Sequence, residues 1–388
     1  MAAVLTGTRV LDCSQYIAGP YAAMLLSEQG AEVTKVERPE GDPLRGCDGF
    51  LVWNRSKKGI TLNLRHREGQ RIARRLAGQS DVLIESFPPG VADTLGIGYQ
   101  SLKEENPRLV YCSITGFGPD GPYRDMPGWD AIVGSVLGLY VGQAGSGGPP
   151  LYLVMPMPSY YTALMASFSI ATALLARETT GRGQKVEVSL FRSMLSAAAS
   201  GVVDFEGRIR RPGTVRDPQG ASPLYRLYHG NDGKWFFLAL GNLRFFAKFA
   251  VAMGHDEWVT DPRFEGAPFL ILPPVSEELI AMMQDIFLER TRDEWLEFLR
   301  SHDIPCAPAQ SVEEFLDDPQ VLANGMVVTV EESHLGKVRE MGIPVRLANS
   351  PGEIKGPSPA LGQHNEEVLA GLGYSPREVA RFRGEGVV

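Results

Sequence analysis

Two side chains in this sequence could work on a carbonyl, and both stand where loop gives way to helix: Ser159, in PMPSYYTALMASFSIATALLARETTGRGQ (156–184), and Asp130, which closes PGWD. A hydroxyl becomes a nucleophile when a base takes its proton, and neither His nor Lys lies close to Ser159 in sequence. A carboxylate is already ionised at neutral pH and needs no such help. Asp130 can therefore serve as a lone base, and equally as a helix N-cap or a buried hydrogen-bonding group. Ser159 suits a helix N-cap, a position serine favours. Trp129, between them in type, reads as the wall of a pocket.

Other familiar chemistries are missing from the pattern. No G-x-G-x-x-G follows the first strand-like run, and there is no Walker phosphate loop, H-E-x-x-H or G-x-S-x-G. His66, His229, His255, His302, His334 and His364 lack metal-ligand spacing, and Cys13, Cys47, Cys112 and Cys306 occur singly, so no metal site and no redox dithiol are expected. The thiols read as buried and free. A formal net charge of -8 leaves no general attraction for nucleic acid. MAAVLTGTRVLDCSQ lacks the basic flank and apolar run of a secretory signal, and no uninterrupted apolar stretch approaches about 18 residues. A cytoplasmic protein with no membrane partner is expected.

The elements that must hold these residues alternate. TRVLDCS reads as a strand, AGPYAAMLLSEQG as a helix stopped by Gly30, and AEVTKVE as a second strand. ITLNL, the helix REGQRIARRLAGQ, DVLIES and RLVYCSI continue the alternation, which predicts an α/β domain with a parallel sheet. Residues 160–177 are apolar almost all round and predict a buried helix, followed by the strand KVEVSL. The arginine-rich GRIRRPGTVRD then reads as an exposed connection. From Ser222 the runs PLYRLYHGNDGKWFFLALGN predict two strands around a turn, with three helices after them in a smaller α+β domain. Length suits about two domains. The expected blocks are 1–200, 222–325 and a C-terminal part, 326–388.

Taken in order, VLDCSQYIAGPYAAMLLSEQGAEVTKVERPEGDPLR, NRSKKGITLNL, DVLIESFPPG, NPRLVYCSITGFGPDGPYRDMPGWD, LLARETTGRGQKVEVSLF, IPCAPAQSVEEFLDDPQV and LGQHNEEVLAGLGYS resemble the family III CoA-transferases. That group includes formyl-CoA, carnitine and bile-acid CoA-transferases and α-methylacyl-CoA racemase. The resemblance implies a Rossmann-like large domain made from both chain ends, a smaller domain in the middle, and two subunits interlocked as rings. It implies CoA and acyl-CoA as substrates, a small carboxylic acid as the second substrate, and no permanently bound cofactor. In such proteins an aspartate forms an acyl anhydride and then an aspartyl-CoA thioester.

Counting back from Thr180 of TTGRGQ, the aspartate's place is held by Ser159. The residues the resemblance assigns to CoA are Ala18, Arg38, Asn54, Lys57, Ser86, Phe87 and Trp129, with Arg38, Asn54 and Lys57 at the adenine and phosphate end. Ser86 stands where the family's turn carries Asn, and Thr94 where several members carry a phosphate-pairing Arg, a contact worth roughly 1.5–3 kcal/mol where it is made. The acid/base pair of the racemase branch reads Trp129 and Ser159. Three readings follow. The chain is the aspartate-lacking subunit of a heteromeric transferase, as the pattern of succinyl-CoA:(R)-benzylsuccinate CoA-transferase suggests; or an isomerase, lyase or hydrolase acting alone through Ser159, Tyr160 or Asp130; or a CoA-binding homodimer without catalysis. Tyr160 and Tyr161 suggest an aromatic wall for the acyl pocket.

Overall fold

The computed structural model describes residues 3–143, 149–208 and 218–388. Most of the GRIRRPGTVRD connection lies outside the described residues. Six short strands, β1 (Arg9–Asp12), β2 (Glu32–Glu37), β3 (Lys58–Thr61), β4 (Val82–Glu85), β5 (Val110–Thr115) and β6 (Lys185–Ser189), form one sheet in the order β3-β2-β1-β4-β5-β6. Every pairing is parallel. Parallel neighbours require crossovers, and α1 (Ala18–Glu28), α2 (Asp48–Asn54), α3 (Arg67–Gly78), α4 (Val91–Thr94) and α5 (Tyr99–Glu105) provide the first four. The helices α6 (Asp130–Val136), α7 (Leu139–Gln143) and α8 (Met157–Thr180) lie between β5 and β6 in the chain.

Successive strand residues face opposite sides of the sheet, and the core divides in the same way. Val10, Val82, Val110 and Ile114 pack with Ala22 and Ala23 of α1 and Ala163, Ala166 and Ile170 of α8. Leu11, Leu83 and Tyr111 pack with Ile72 and Ala73 of α3 and with Leu369, Leu372, Val379 and Phe382 from the end of the chain. The large domain is therefore built from both chain ends, with helices on each face of a doubly wound sheet.

The buried face of α8 is made of small side chains, which lets the helix lie close to the sheet, and Gly181 ends it at a φ of 70°. By length and composition α8 is apolar enough to cross a membrane, although Ser and Thr interrupt its apolar runs. One face of it is core, whereas Leu164, Phe168 and Leu175, at helical spacing on another face, are exposed.

A second compact unit comprises 138–153 and 204–318, and a first comprises 1–137, 154–203 and 319–388. In the second, β7 (Gly220–Ser222), β8 (Tyr225–His229), β9 (Trp235–Ala239) and β10 (Cys306–Pro308) form an antiparallel sheet in the order β10-β9-β8-β7. The helices Leu243–Ala252, Val275–Phe287 and Arg292–Ser301 pack on it around Phe236, Phe249, Phe287 and Trp295. Returning to the first unit, the hairpin β11 (Val327–Glu332) and β12 (Gly336–Met341) is fixed to α1 by Arg55. That buried guanidinium donates from Nε to Glu28 Oε1 at 2.8 Å and from Nη1 to Glu340 Oε1 at 3.0 Å.

Candidate functional site

Strand order reverses between β1 and β4, so the loops leaving their C-terminal ends diverge, and in doubly wound sheets ligands bind in the crevice this opens. Here the two loops are 13–17 and 86–90. They are fastened to each other by Ser86, whose Oγ accepts the Gln15 N–H at 2.8 Å and donates to Gln15 O at 3.3 Å. The adjoining Phe87 N–H donates to Glu85 Oε2 at 2.8 Å. Two cavities share Gln15 and Phe87 in their walls, one of about 770 Å³ and the other of about 600 Å³.

The smaller cavity gathers most of the residues expected to act: Ala18, Ser86, Phe87, Trp129, Asp130 and Ser159 all line it. Ala18 opens α1, which approaches the β1 loop so closely that a Cβ on Gly19 would meet Ser14 Cβ at 2.2 Å. Tyr16 takes a φ of 66°, a conformation side chains other than glycine rarely adopt, and its ring meets the edge of Trp129 at 4.9 Å. A second close approach brings Trp129 and Asp130 here: a Cβ on Gly116, just after β5, would meet Gly128 Cα at 2.4 Å. Only a glycine pair lets the start of α6 come this near the end of β5.

Asp130 begins α6 and faces the first turn of α8. Its Oδ1 accepts the Ser159 N–H and its Oδ2 accepts the Ser159 hydroxyl, each at 2.7 Å. The N-cap of α8 is Pro156, which supplies no capping side chain, so the expected N-cap role of Ser159 is corrected. Ser159 lies within the first turn, and Asp130 satisfies from another helix an N–H that would otherwise lack a partner. Both donors of Ser159, its N–H and its hydroxyl, are thus given to this one carboxylate. The hydroxyl proton therefore already points at a carboxylate, with no imidazole or amine engaged.

The larger cavity is lined by Arg38, Arg65, Phe87 and Thr94. Arg38 is exposed, and its Nε donates to Gly41 O at 2.8 Å. Arg65 was not among the expected residues; it follows ITLNL directly, and a cation just beyond the C-terminal end of a buried strand was the signal available.

Asn54 and Lys57 are corrected. Lys57 Nζ donates to Asp12 Oδ2 at 2.8 Å, Pro20 O at 2.8 Å and Asn54 Oδ1 at 3.0 Å, so its three donors are satisfied inside the fold. Asn54 is buried and donates to Phe50 O at 3.2 Å. Both residues are buried and the three Lys57 donors are taken inside the fold; together they tie the start of α1 to the end of β1. Burial pushes the Lys57 ammonium down to about 8, opposed by the Asp12 charge beside it. Burial acts to raise the Asp12 carboxyl, but Lys57 and Lys35 outweigh it and hold it below the ordinary carboxylate range. Tyr160 is corrected as well, since it is half-buried, does not line the smaller cavity, and packs its ring at 5.4 Å against Tyr21 and at 6.5 Å against Trp53. The aromatic rings of the smaller cavity are Tyr16, Phe87 and Trp129.

Glu85 ends β4 beneath these loops and is buried. Its carboxyl is pushed up to about 7 by burial, opposed by the nearby Ser113 hydroxyl and by the Phe87 N–H that donates to it. Among the described residues no group of three or more His, Cys, Asp or Glu side chains is placed to hold a metal ion.

The family model for CoA-transferase family III matches residues 5–365. The chain is 34% identical over 402 residues to the succinyl-CoA–L-malate CoA-transferase beta subunit of Chloroflexus aurantiacus, covering 99% of this chain and 98% of that one. It is 31% identical over 411 residues to the alpha subunit from the same organism, covering 99% and 92%. A solved CaiB/BaiF family protein from Brucella suis superimposes with a TM-score of 0.80 at 31% identity, covering 96% of this chain and all of that one. The chain belongs to CoA-transferase family III, whose substrates are CoA thioesters.

Proposed function

We propose that the chain is one subunit of a heteromeric transferase that moves CoA between an acyl-CoA and a small carboxylic acid, and that a homologous companion supplies the reacting aspartate. The observation that carries this reading is Ser159 with its hydroxyl donated to Asp130. In the aspartate route, a carboxylate oxygen attacks the thioester carbonyl, the C–S bond breaks, and an anhydride and CoA thiolate result. The thiolate then attacks the aspartyl carbonyl, releasing the first acid and leaving an aspartyl-CoA thioester. The incoming acid repeats these steps in reverse. Serine fits neither half. A carboxylate is too weak a base to ionise an alcohol effectively, and a serine ester resists return attack by thiolate.

Two further observations support a companion chain. Leu164, Phe168 and Leu175 leave an apolar stripe of α8 uncovered, as a subunit that buries it against a partner requires. The relatives include both subunits of one heteromeric enzyme. The interlocked ring arrangement belongs to the same proposal, because neither subunit then buries its contact surface alone. We assign the protein to the cytoplasm, in keeping with four free cysteines, two of them buried. Co-expression with an aspartate-bearing homologue tests the reading: a mixed assembly by native mass and recovered transfer support it, and robust transfer by the lone chain contradicts it.

Asp130 sustains a second reading. Its carboxylate lines the smaller cavity, and an enzyme acting alone on an acyl-CoA could use it as base. Turnover by homogeneous protein, lost in Asp130→Asn, would favour that alternative over a subunit or a non-catalytic homodimer.

A further inference from the structure

Glu85 is a buried acid that no step above uses, and its surroundings give it a task. It closes β4 and accepts the N–H of Phe87 at 2.8 Å, while Ser113 of neighbouring β5 pairs with it in register across the sheet. Phe87 and Gln15 stand in the walls of both cavities, and Ser86 between Glu85 and Phe87 is the residue that fastens the β4 loop to Gln15. The carboxylate thus holds from below the turn at which the two halves of the cleft meet.

We infer that Glu85 is a positioning residue for CoA, whose ionised form locks the Ser86–Phe87 turn and whose protonated form releases it, so that affinity for CoA rises with pH through neutrality. This rests on the reading that CoA lies along the two cavities. A hydrogen bond to an ionised carboxylate is about twice as strong as one to a neutral acceptor, so ionisation tightens the hold on the Phe87 N–H. The groups facing Glu85 allow that change near neutral pH. Lys185 of β6 favours the carboxylate and Asp93 of α4 disfavours it. Cys13 after β1 and Tyr111 and Cys112 of β5 are held protonated by burial and by the Glu85 charge itself, so none of them titrates in the same range.

Calorimetric titration of free CoA into the purified protein, in the assembly it forms, tests this from about pH 6 to about pH 8.5. CoA has titrating groups of its own, which cancel when wild type is compared with Glu85→Gln at each pH. The ratio of affinities is expected to rise from about one to about five- or tenfold across the range, with Glu85→Leu weaker than Glu85→Gln throughout. A ratio that stays constant with pH, or a Glu85→Leu protein that binds like wild type, overturns the proposal. Hydrogen exchange at the Phe87 amide separates this from the reading beneath it. If wild type fails to bind CoA at every pH, the cleft assignment falls; pH-dependent protection of Phe87 in wild type and not in Glu85→Gln still supports the lock, and equal protection in both overturns it.

Discussion

The Asp130 carboxylate takes both the backbone N–H and the hydroxyl of Ser159, one on each oxygen and each at 2.7 Å. One residue at the start of α6 therefore does for α8 what an N-cap does, and at the same time occupies the hydroxyl that stands where this family's reacting carboxylate is expected. The structural and chemical consequences of that contact can be measured separately.

Asp130→Ala leaves the Ser159 N–H and hydroxyl without their acceptor. The loss is expected to cost about 0.5–2 kcal/mol, the range for removing a helix cap. Asp130→Asn keeps one acceptor oxygen and should cost less. Urea unfolding of the three proteins reads the order directly, and identical midpoints would contradict the capping role.

Ser159→Asp puts an ionisable acid back at the head of α8, in contact with Asp130. Two carboxylates so close cannot both ionise freely, and the strain should destabilise the fold by about 1–4 kcal/mol at neutral pH. In return the lone chain should gain CoA transfer that wild type lacks, measured by exchange of labelled acid into acyl-CoA. A folded Ser159→Asp protein with no transfer would mean that the cleft does not seat a thioester against this position.

Lys57→Met leaves Asp12 buried without its ion-pair partner, which typically costs about 3–5 kcal/mol. Replacing both, Lys57→Met with Asp12→Leu, should recover much of that loss, because the penalty lies in the stranded charge. Unfolding measured on the single and double variants checks the coupling. A Lys57→Met protein of unchanged stability with weakened CoA binding would return Lys57 to the phosphate end of the site.

Glu85 also makes stability depend on pH, with a definite sign. Its carboxyl is raised from its ordinary 4.5 to about 7, so between those values the folded protein holds a proton that the unfolded chain has lost. Stability contributed by this group is present below about pH 4.5 and falls as pH rises to about 7, by about 3 kcal/mol in all. Relative to Glu85→Gln, wild type should weaken by that order between about pH 5 and about pH 8 in denaturant titrations. A constant difference between the two proteins would show that Glu85 titrates normally.

The βαβ order was legible because buried parallel strands read as short apolar runs separated by helix-length patterns, whereas the return of the chain end was implied by the family resemblance alone. The place of Ser159 was legible by its distance from TTGRGQ. Its partner was not: Asp130 lies 29 residues away and reaches Ser159 through the Gly116–Gly128 approach, a contact invisible to local pattern. Lys57 in NRSKK was expected at the phosphate end of the site, since its partner Asp12 lies 45 residues earlier and burial is a property of the finished sheet. Glu85 left a trace, an acid closing the apolar run VLI, and a buried strand ending in a carboxylate at a switch point merits a functional question.

The central claim is tested most directly by incubating the lone chain with acyl-CoA and searching for a covalent CoA thioester on it by intact mass and peptide mapping. The account expects no adduct on the chain by itself, and an adduct on the companion's aspartate once the two are combined. A CoA adduct on this chain alone, at Asp130 or elsewhere, would contradict it.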